Sequence, residues 1–469
     1  MSSPTNNQKQ NSSSGEGELY QKRKKLYVRE VYGIFAKLRW LAVAALLGLY
    51  YGLPWLDWNN HQSILFDLPE RKFYVFGFTF WPQDFFYLSI ILIISALALF
   101  MFTTLAGRLW CGYACPQTVW TEIYLWIEQK VEGAPNKSRK RDNGPKNFDY
   151  YRVKFTKHAL WLVVSLWTGF TFVGFFTPIR ELWDAVLIWD LGPWETFWIF
   201  FYAFATHGNA GYLREQVCIY MCPYARFQSA MFDHDTLIIS YDEKRGESRG
   251  TRKKSANPKE LGLGDCVDCG LCVQVCPVGI DIRDGLQYQC IGCAACVDVC
   301  DEVMEKMGYE KGLVKYTTEN ALEGKDTRII RPRLNVYIVI ISFLTVALTW
   351  GLMTRIPLEV DIIRDRNNLY SETDYGLIEN VYALKVINMD HETQNYNLRV
   401  SGLEGMNVLG QTEGIRVESG AVFDLPLRIQ VDPENLSKSS SSVIFHIEST
   451  TNPDIRIDEH ARFLGPIGR

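Results

Sequence analysis

All twelve cysteines of this 469-residue chain lie between Cys111 and Cys300, and eight of them fall into two runs of one spacing. The first is Cys266-x2-Cys269-x2-Cys272-x3-Cys276-Pro277, and the second is Cys290-x2-Cys293-x2-Cys296-x3-Cys300-Asp301. Three thiolates at two-residue gaps on a tight loop can wrap one iron–sulfide cube, while the fourth reaches across to the neighbouring one. By that rule Cys266, Cys269, Cys272 and Cys300 hold one [4Fe–4S] cluster, and Cys290, Cys293, Cys296 and Cys276 hold a second. Gly270, Gly292, Ala294 and Ala295 are small enough to let backbone amides approach the sulfides. Zinc ribbons also use Cys-x-x-Cys knuckles, but zinc takes four ligands per site rather than an interleaved set of this kind. Asp301 stands where the first run has Pro277, which leaves the turn after the second run open but not the ligation. Two one-electron centres in one small domain relay electrons rather than hydride.

The other four cysteines form a repeat of their own. Segments 109–116 and 216–223 share Cys-x-Tyr-x-Cys-Pro, pairing Cys111 with Cys115 and Cys218 with Cys222. On a helix, positions i and i+4 share a face, so each pair can turn both thiols toward one ion. Thiolates favour Cu(I), zinc or iron–sulfur centres. Met221 offers a thioether, and His207 lies a short loop upstream. Blander readings stay open: buried small apolar residues, a redox-active disulfide without metal, or a structural zinc site, with His207 and Met221 serving only in packing.

These cysteines sit among apolar blocks. Uncharged segments at 40–56, 85–107, 159–179, 196–213 and 334–354 approach the ~20 residues a helix needs to cross the hydrocarbon layer. Lys and Arg crowd the alternate connections: Lys22 to Arg39 before the first segment, Lys137 to Lys157 after the second, and Arg252-Lys253-Lys254 after the fourth. By the positive-inside rule this predicts five spans, with the N-terminus inside and the C-terminus outside. Trp110, Trp120, Tyr124 and Trp126 read as an interfacial aromatic belt. Residues 1–25 are polar and read as a disordered tail with no apolar core of a cleaved signal peptide. The formal net charge of −4 gives no electrostatic reason to bind nucleic acid. Cysteines clustered in one region also exclude a secreted disulfide scaffold.

The expected organisation is a multi-domain membrane protein, a five-helix transmembrane bundle carrying two inserts. Residues 26–232 hold the first four spans and both Cys-x-x-x-Cys-Pro motifs, 233–333 form a cytoplasmic 2[4Fe–4S] ferredoxin-like domain, and 334–355 form the fifth span. Residues 356–469 show alternating runs at 381–387, 396–400, 422–431 and 443–447 between turn residues, the pattern of an immunoglobulin-like β-sandwich on the outer side. No Gly-x-Gly-x-x-Gly follows a strand, so no nucleotide donor is legible.

Taken together, the five spans, the two Cys-x-x-x-Cys-Pro motifs, the inserted double-cluster domain and the sandwich tail resemble the FixG family, also called CcoG or RdxA. These are accessory proteins of cbb3-type cytochrome c oxidase assembly in the bacterial cytoplasmic (inner) membrane. The resemblance covers nearly the whole chain apart from the polar N-terminal tail, and related membrane ferredoxins of nitrate and nitrous oxide respiration share part of it. It implies a cupric reductase: electrons enter at one cluster, cross to the other and reduce Cu(II) to Cu(I) at Cys111, Cys115, Cys218 and Cys222. It further implies oxidase assembly factors or a copper transporter or chaperone as partners, with the periplasmic sandwich docking one of them or a second protomer. Two other readings compete, a quinol-linked electron-transfer subunit of another respiratory enzyme and a non-enzymatic scaffold or redox sensor.

Overall fold

The computed structural model describes residues 25–58, 61–258, 260–365, 368–390 and 392–466, which fall into two compact units. Residues 1–24 of the expected polar tail lie outside the described residues. Lys25, placed in that tail, is anchored instead: its Nζ meets Asp142 at 2.8 Å and Glu128 at 3.1 Å.

The first unit is built from segments 25–53, 99–173 and 182–334. It contains helix α1 (Ile34–Gly52), the end of α2 (Phe85–Ala106), the short α3 (Leu109–Tyr113) and α4 (Pro116–Glu132). Helix α1 starts six residues before the apolar block does. The reason is distant in sequence: the Asp298 carboxylate accepts from the backbone N–H of Phe35 (3.2 Å) and Ala36 (2.7 Å), satisfying donors that a helix start leaves free. Lys37 and Arg39 therefore lie inside the helix. Gly33 is required there, because a Cβ would stand 2.2 Å from the Asp298 carboxyl carbon.

The third expected span is a helix at Phe148–Val173, displaced toward its charged N-terminal side, and Ile179 starts a separate helix, Ile179–Ile188, directly after Pro178. The fourth is a helix at Pro193–Thr206 that widens into a π-helical turn at His207–Leu213. These two helices pack closely at Gly169, where a Cβ would lie 2.3 Å from the Ile199 carbonyl oxygen. Among the described residues, three helical stretches are long and apolar enough to cross a membrane: Ile34–Trp55, Pro82–Ala106 and Pro332–Met353.

The aromatic belt divides. Trp110 and Trp126 are exposed, but Tyr124 is fully buried, its hydroxyl donating to the Trp161 carbonyl at 3.1 Å, and Trp120 Nε1 donates to Thr168 Oγ1 at 3.1 Å. The latter two are packing residues of the bundle rather than anchors at a surface.

The ferredoxin-like part closes with strand Ile238–Tyr241 paired antiparallel to Val314–Thr317, over a core of Ile239, Ile282, Val297, Met304 and Leu313. Helix Ala295–Met307 runs straight through Cys300 and Asp301. Proline there would remove a helix donor and clash with the preceding turn. Asp301 instead accepts the Gly312 N–H at 2.8 Å, fastening the loop that leads into the second strand.

The second unit takes segments 54–98, 174–181 and 335–466. A small antiparallel sheet of Ile64–Asp67, Lys72–Val75 and Phe78–Phe80 precedes the apolar start of α2. The sandwich has one sheet in the order Asn407–Leu409, Val422–Val431, Ile378–Asn388, Leu358–Arg364, and another in the order Ile415–Val417, Gln394–Ser401, Ser440–Ser449, Arg456–Leu464. Alternate residues such as Tyr382, Leu384, Val386, Leu427, Ile429, Val443, Phe445 and Ile447 fill the space between them.

Candidate redox site

The eight cysteines of the two runs gather around two cavities of the first unit. Cys266, Cys269, Cys272 and Cys300 line one, and Cys272, Cys276, Cys290, Cys293 and Cys296 line the other. Each cavity thus takes three cysteines of one run together with the last cysteine of the other, and Cys272 borders both. The backbone turns needed to point thiols inward are left-handed at Asp268, Gly270, Gly292 and Ala294, a conformation that favours glycine and small turn residues. Amide groups point at the sulfurs: Val278 and Ile280 N–H at Cys276, Gly292 N–H at Cys290, and Ala295 N–H at Cys293. Burial pushes the Cys272 and Cys290 thiols up to about 11, and a bound cation would favour their thiolates. Among the described residues, no group of three or more His, Cys, Asp or Glu side chains closes to the spacing of a single metal ion. Two rings of four thiols, lined by amides, fit a polynuclear iron–sulfur group, which such a ring surrounds.

The Cys-x-x-x-Cys-Pro pairs do not share a continuous helical face. Cys111 lies in α3, whereas Cys115 is the residue before α4, with φ −62° and ψ 128°. Cys218 lies in the π-turn Val217–Met221, and Cys222 precedes helix Pro223–Ser229 with φ −79° and ψ 111°. The proline after each second cysteine disfavours the helical region for the residue before it. The pairs are near enough to interact electrostatically, Cys115 and Cys218 with Cys111 and Cys222 with both Cys115 and Cys218, but among the described residues no three of these sulfurs close to the spacing of a single metal ion. Burial first, then the neighbouring thiol, raises Cys111 to about 12. Met221 is exposed, and His207 faces Ser165, with its Nδ1 3.4 Å from Ser165 Oγ and its ring beside Trp161 and Tyr124.

Three residues that the sequence did not single out connect these centres. Arg108, 7% exposed, donates to the Ala225 carbonyl at 2.8 Å and lowers the pKa of Cys111, Cys218 and Cys290 alike. Arg39, also buried, donates to the Cys293 carbonyl. Gly112 lies so near the second run that a Cβ would stand 2.8 Å from the Gly292 carbonyl oxygen and 3.0 Å from Cys293 Cα. The first motif is therefore in backbone contact with a cluster-binding loop. A lone arginine or glycine near a cysteine motif carries no sequence signal for any of this.

Fold and site define a membrane protein of the iron–sulfur, electron-transferring class. Residues 213–319 match a family described as a 4Fe-4S dicluster domain, residues 88–133 a 4Fe-4S binding domain, and residues 348–466 the Ig-like fold at the C-terminus of FixG. The chain is 36% identical to the nitrogen fixation protein FixG of Rhizobium meliloti, across 90% of this chain and 88% of that one. It is 40% identical to protein RdxB of Cereibacter sphaeroides, across 82% and 83%. A crystal structure of a FixG-related protein from Vibrio parahaemolyticus is 36% identical and covers 23% of this chain and 95% of its own, with a TM-score of 0.22. The chain belongs to the FixG family.

Proposed function

We propose that this protein is a membrane-bound cupric reductase. Cys266, Cys269, Cys272 and Cys300 would hold one [4Fe–4S] cluster and Cys276, Cys290, Cys293 and Cys296 a second, which would supply single electrons, while Cys111, Cys115, Cys218 and Cys222 bind the substrate Cu(II). The Cu(I) product serves assembly of a cbb3-type oxidase. In this reading the chain crosses the inner membrane five times, with the clusters cytoplasmic and the sandwich periplasmic. When bound, the clusters supply one-electron storage. The protein's own part is to hold soft thiolates beside them, and Cu(I) is content with few sulfur ligands. The observation that carries the reading is the seating of Gly112, next to Cys111, on the Gly292–Cys293 backbone.

The test is anaerobic Cu(II) reduction by dithionite-reduced protein, read with a Cu(I) chelator. A variant with Cys111, Cys115, Cys218 and Cys222 all changed to Ser is run beside it. Wild type is expected to turn copper over and the variant to fail. Equal rates would remove copper from these thiols. The match of residues 88–133 to a 4Fe-4S binding domain favours a second reading, because that segment contains only Cys111 and Cys115 and needs the other pair to complete a cluster. Iron analysis separates the two: under copper reduction the four-Ser variant keeps all the wild-type iron, and under a third cluster it loses a third.

Ligand interleaving has its own test. Cys266→Ala and Cys276→Ala are expected to destroy different clusters, so the double variant should bind almost no iron. Run-by-run ligation would leave it with half.

A further inference from the structure

A cavity of about 360 Å³ opens beside the redox site, between the start of α1, helix α4 and the second cluster loop. That is the size of a small-molecule site. Ile291 and Cys293 of the cluster loop, Cys218, and Thr121 and Leu125 of α4 are among its lining residues. Trp40 and Trp126, at 38% and 43% exposure, stand edge to face with ring centroids 6.4 Å apart, one on each of the two helices. Glu122 is half-buried in the same lining, with Arg39 Nε 4.0 Å from its Oε1. The exposed Arg29 and Glu30 provide a polar rim.

We propose that this cavity binds a lipid-soluble hydroquinone, which is the electron donor to the cluster of Cys276, Cys290, Cys293 and Cys296. The occupant must satisfy three conditions. It must reach the cavity along α1, whose length and apolarity suit a bilayer, so it is lipophilic. It must fit between aromatic and aliphatic walls while giving hydrogen bonds to one carboxylate, which a ring with two hydroxyls does. It must also yield electrons one at a time, which a nicotinamide cannot do, because that cofactor transfers hydride.

The step balances. Both O–H bonds of the hydroquinone break and a quinone leaves, with two electrons passing singly to the two oxidised [4Fe–4S] centres. One proton goes to the Glu122 carboxylate, and the other goes to water at the Arg29–Glu30 rim. Burial raises the Glu122 pKa, which suits a proton acceptor. The inference rests on the iron–sulfur part of the proposed function and is independent of copper.

The experiment uses the full chain in detergent, anaerobic and free of copper. A short-tailed ubiquinol analogue is added to oxidised protein and the bleaching of the iron–sulfur absorbance is followed. In parallel, a photoreactive azidoquinone is crosslinked and its attachment mapped by mass spectrometry. The expected results are bleaching of wild type and labels on peptides of α1 and α4. Thr121→Phe and Leu125→Trp, which fill the cavity, should each slow bleaching at least about tenfold, with dithionite reduction and iron content unchanged. No bleaching by ubiquinol, labels elsewhere, or cavity-filled variants that bleach as fast as wild type would each overturn the proposal. If a variant loses iron, the wild-type labelling decides. Because the copper assay starts from dithionite-reduced protein, the two proposals fail separately.

Discussion

Glu132→Gln is expected to destabilise the first unit by about 3 to 5 kcal/mol, the cost of removing one partner from a buried ion pair. Glu132 is 1% exposed at the end of α4. Its Oε1 meets Lys154 Nζ at 2.7 Å and Lys157 Nζ at 2.8 Å, and its Oε2 accepts from Ser138 Oγ. The same lysines reach further carboxylates, Lys154 to Asp142 at 2.6 Å and Lys157 to Glu128 at 3.8 Å, while Arg214 pairs with Glu128. The glutamine amide has nearly the carboxylate's shape but no charge, leaving Lys154 and Lys157 with an excess of buried positive charge. The measurement is the thermal loss of helical circular dichroism at neutral pH. A variant that melts with wild type would show the network to be energetically neutral.

The same carboxylate sets an acid dependence. Burial opposes its charge, but hydrogen bonds from Lys154, Lys157 and Ser138 outweigh that and hold its pKa down at about 2. A glutamate in an unfolded chain titrates near ~4.3. A folded-state pKa depressed in this way adds stability that is complete above the unfolded value and fades as pH falls through that value toward the folded one. Wild type should therefore lose part of its margin over Glu132→Gln between about pH 5 and pH 2, and the two melting curves should approach each other there.

What the sequence disclosed, and what it withheld, follows from how local each feature is. Ligand spacing in the runs 266–276 and 290–300 is a local property of each loop, so both runs are legible as candidate cluster loops. The sandwich was legible for the same reason, since Tyr396, Leu398 and Val400 alternate with Asn397 and Arg399 over a few residues. Helix α1 was misplaced because its start is fixed by Asp298, more than two hundred residues away and itself in the ferredoxin-like part. The shared-face reading of Cys111 with Cys115 failed at Pro116, whose effect on the preceding residue outweighs helical periodicity. Tyr124 looked like an interfacial anchor because hydropathy does not report that a hydroxyl finds Ser165 and the Trp161 carbonyl inside the bundle. Arg39 counted toward loop charge, yet it is buried and donates to the Cys293 carbonyl.

Gly112→Val is expected to uncouple the two centres without emptying them. The contact is made by backbone on both sides: an added Cβ meets the Gly292 carbonyl oxygen at 2.8 Å and Cys293 Cα at 3.0 Å, and neither can swing aside as a side-chain tip could. One segment must move. Overpacking of this kind costs about 1 to 3 kcal/mol, which a fold with this many other contacts can absorb. Displacing reacting groups by roughly 1 Å can cost on the order of a hundredfold in rate. Reoxidation of dithionite-reduced clusters by Cu(II), followed by stopped flow, should slow by that order, while iron content and reduction by dithionite remain those of wild type. Gly48→Val is the control: it lies in α1, and its Cβ would meet nothing within 4 Å, so it should reoxidise at the wild-type rate. If Gly112→Val reoxidises as fast as the control, electrons leave the clusters by another route, and the contact between the first motif and the Gly292–Cys293 loop serves only to hold α3 in place.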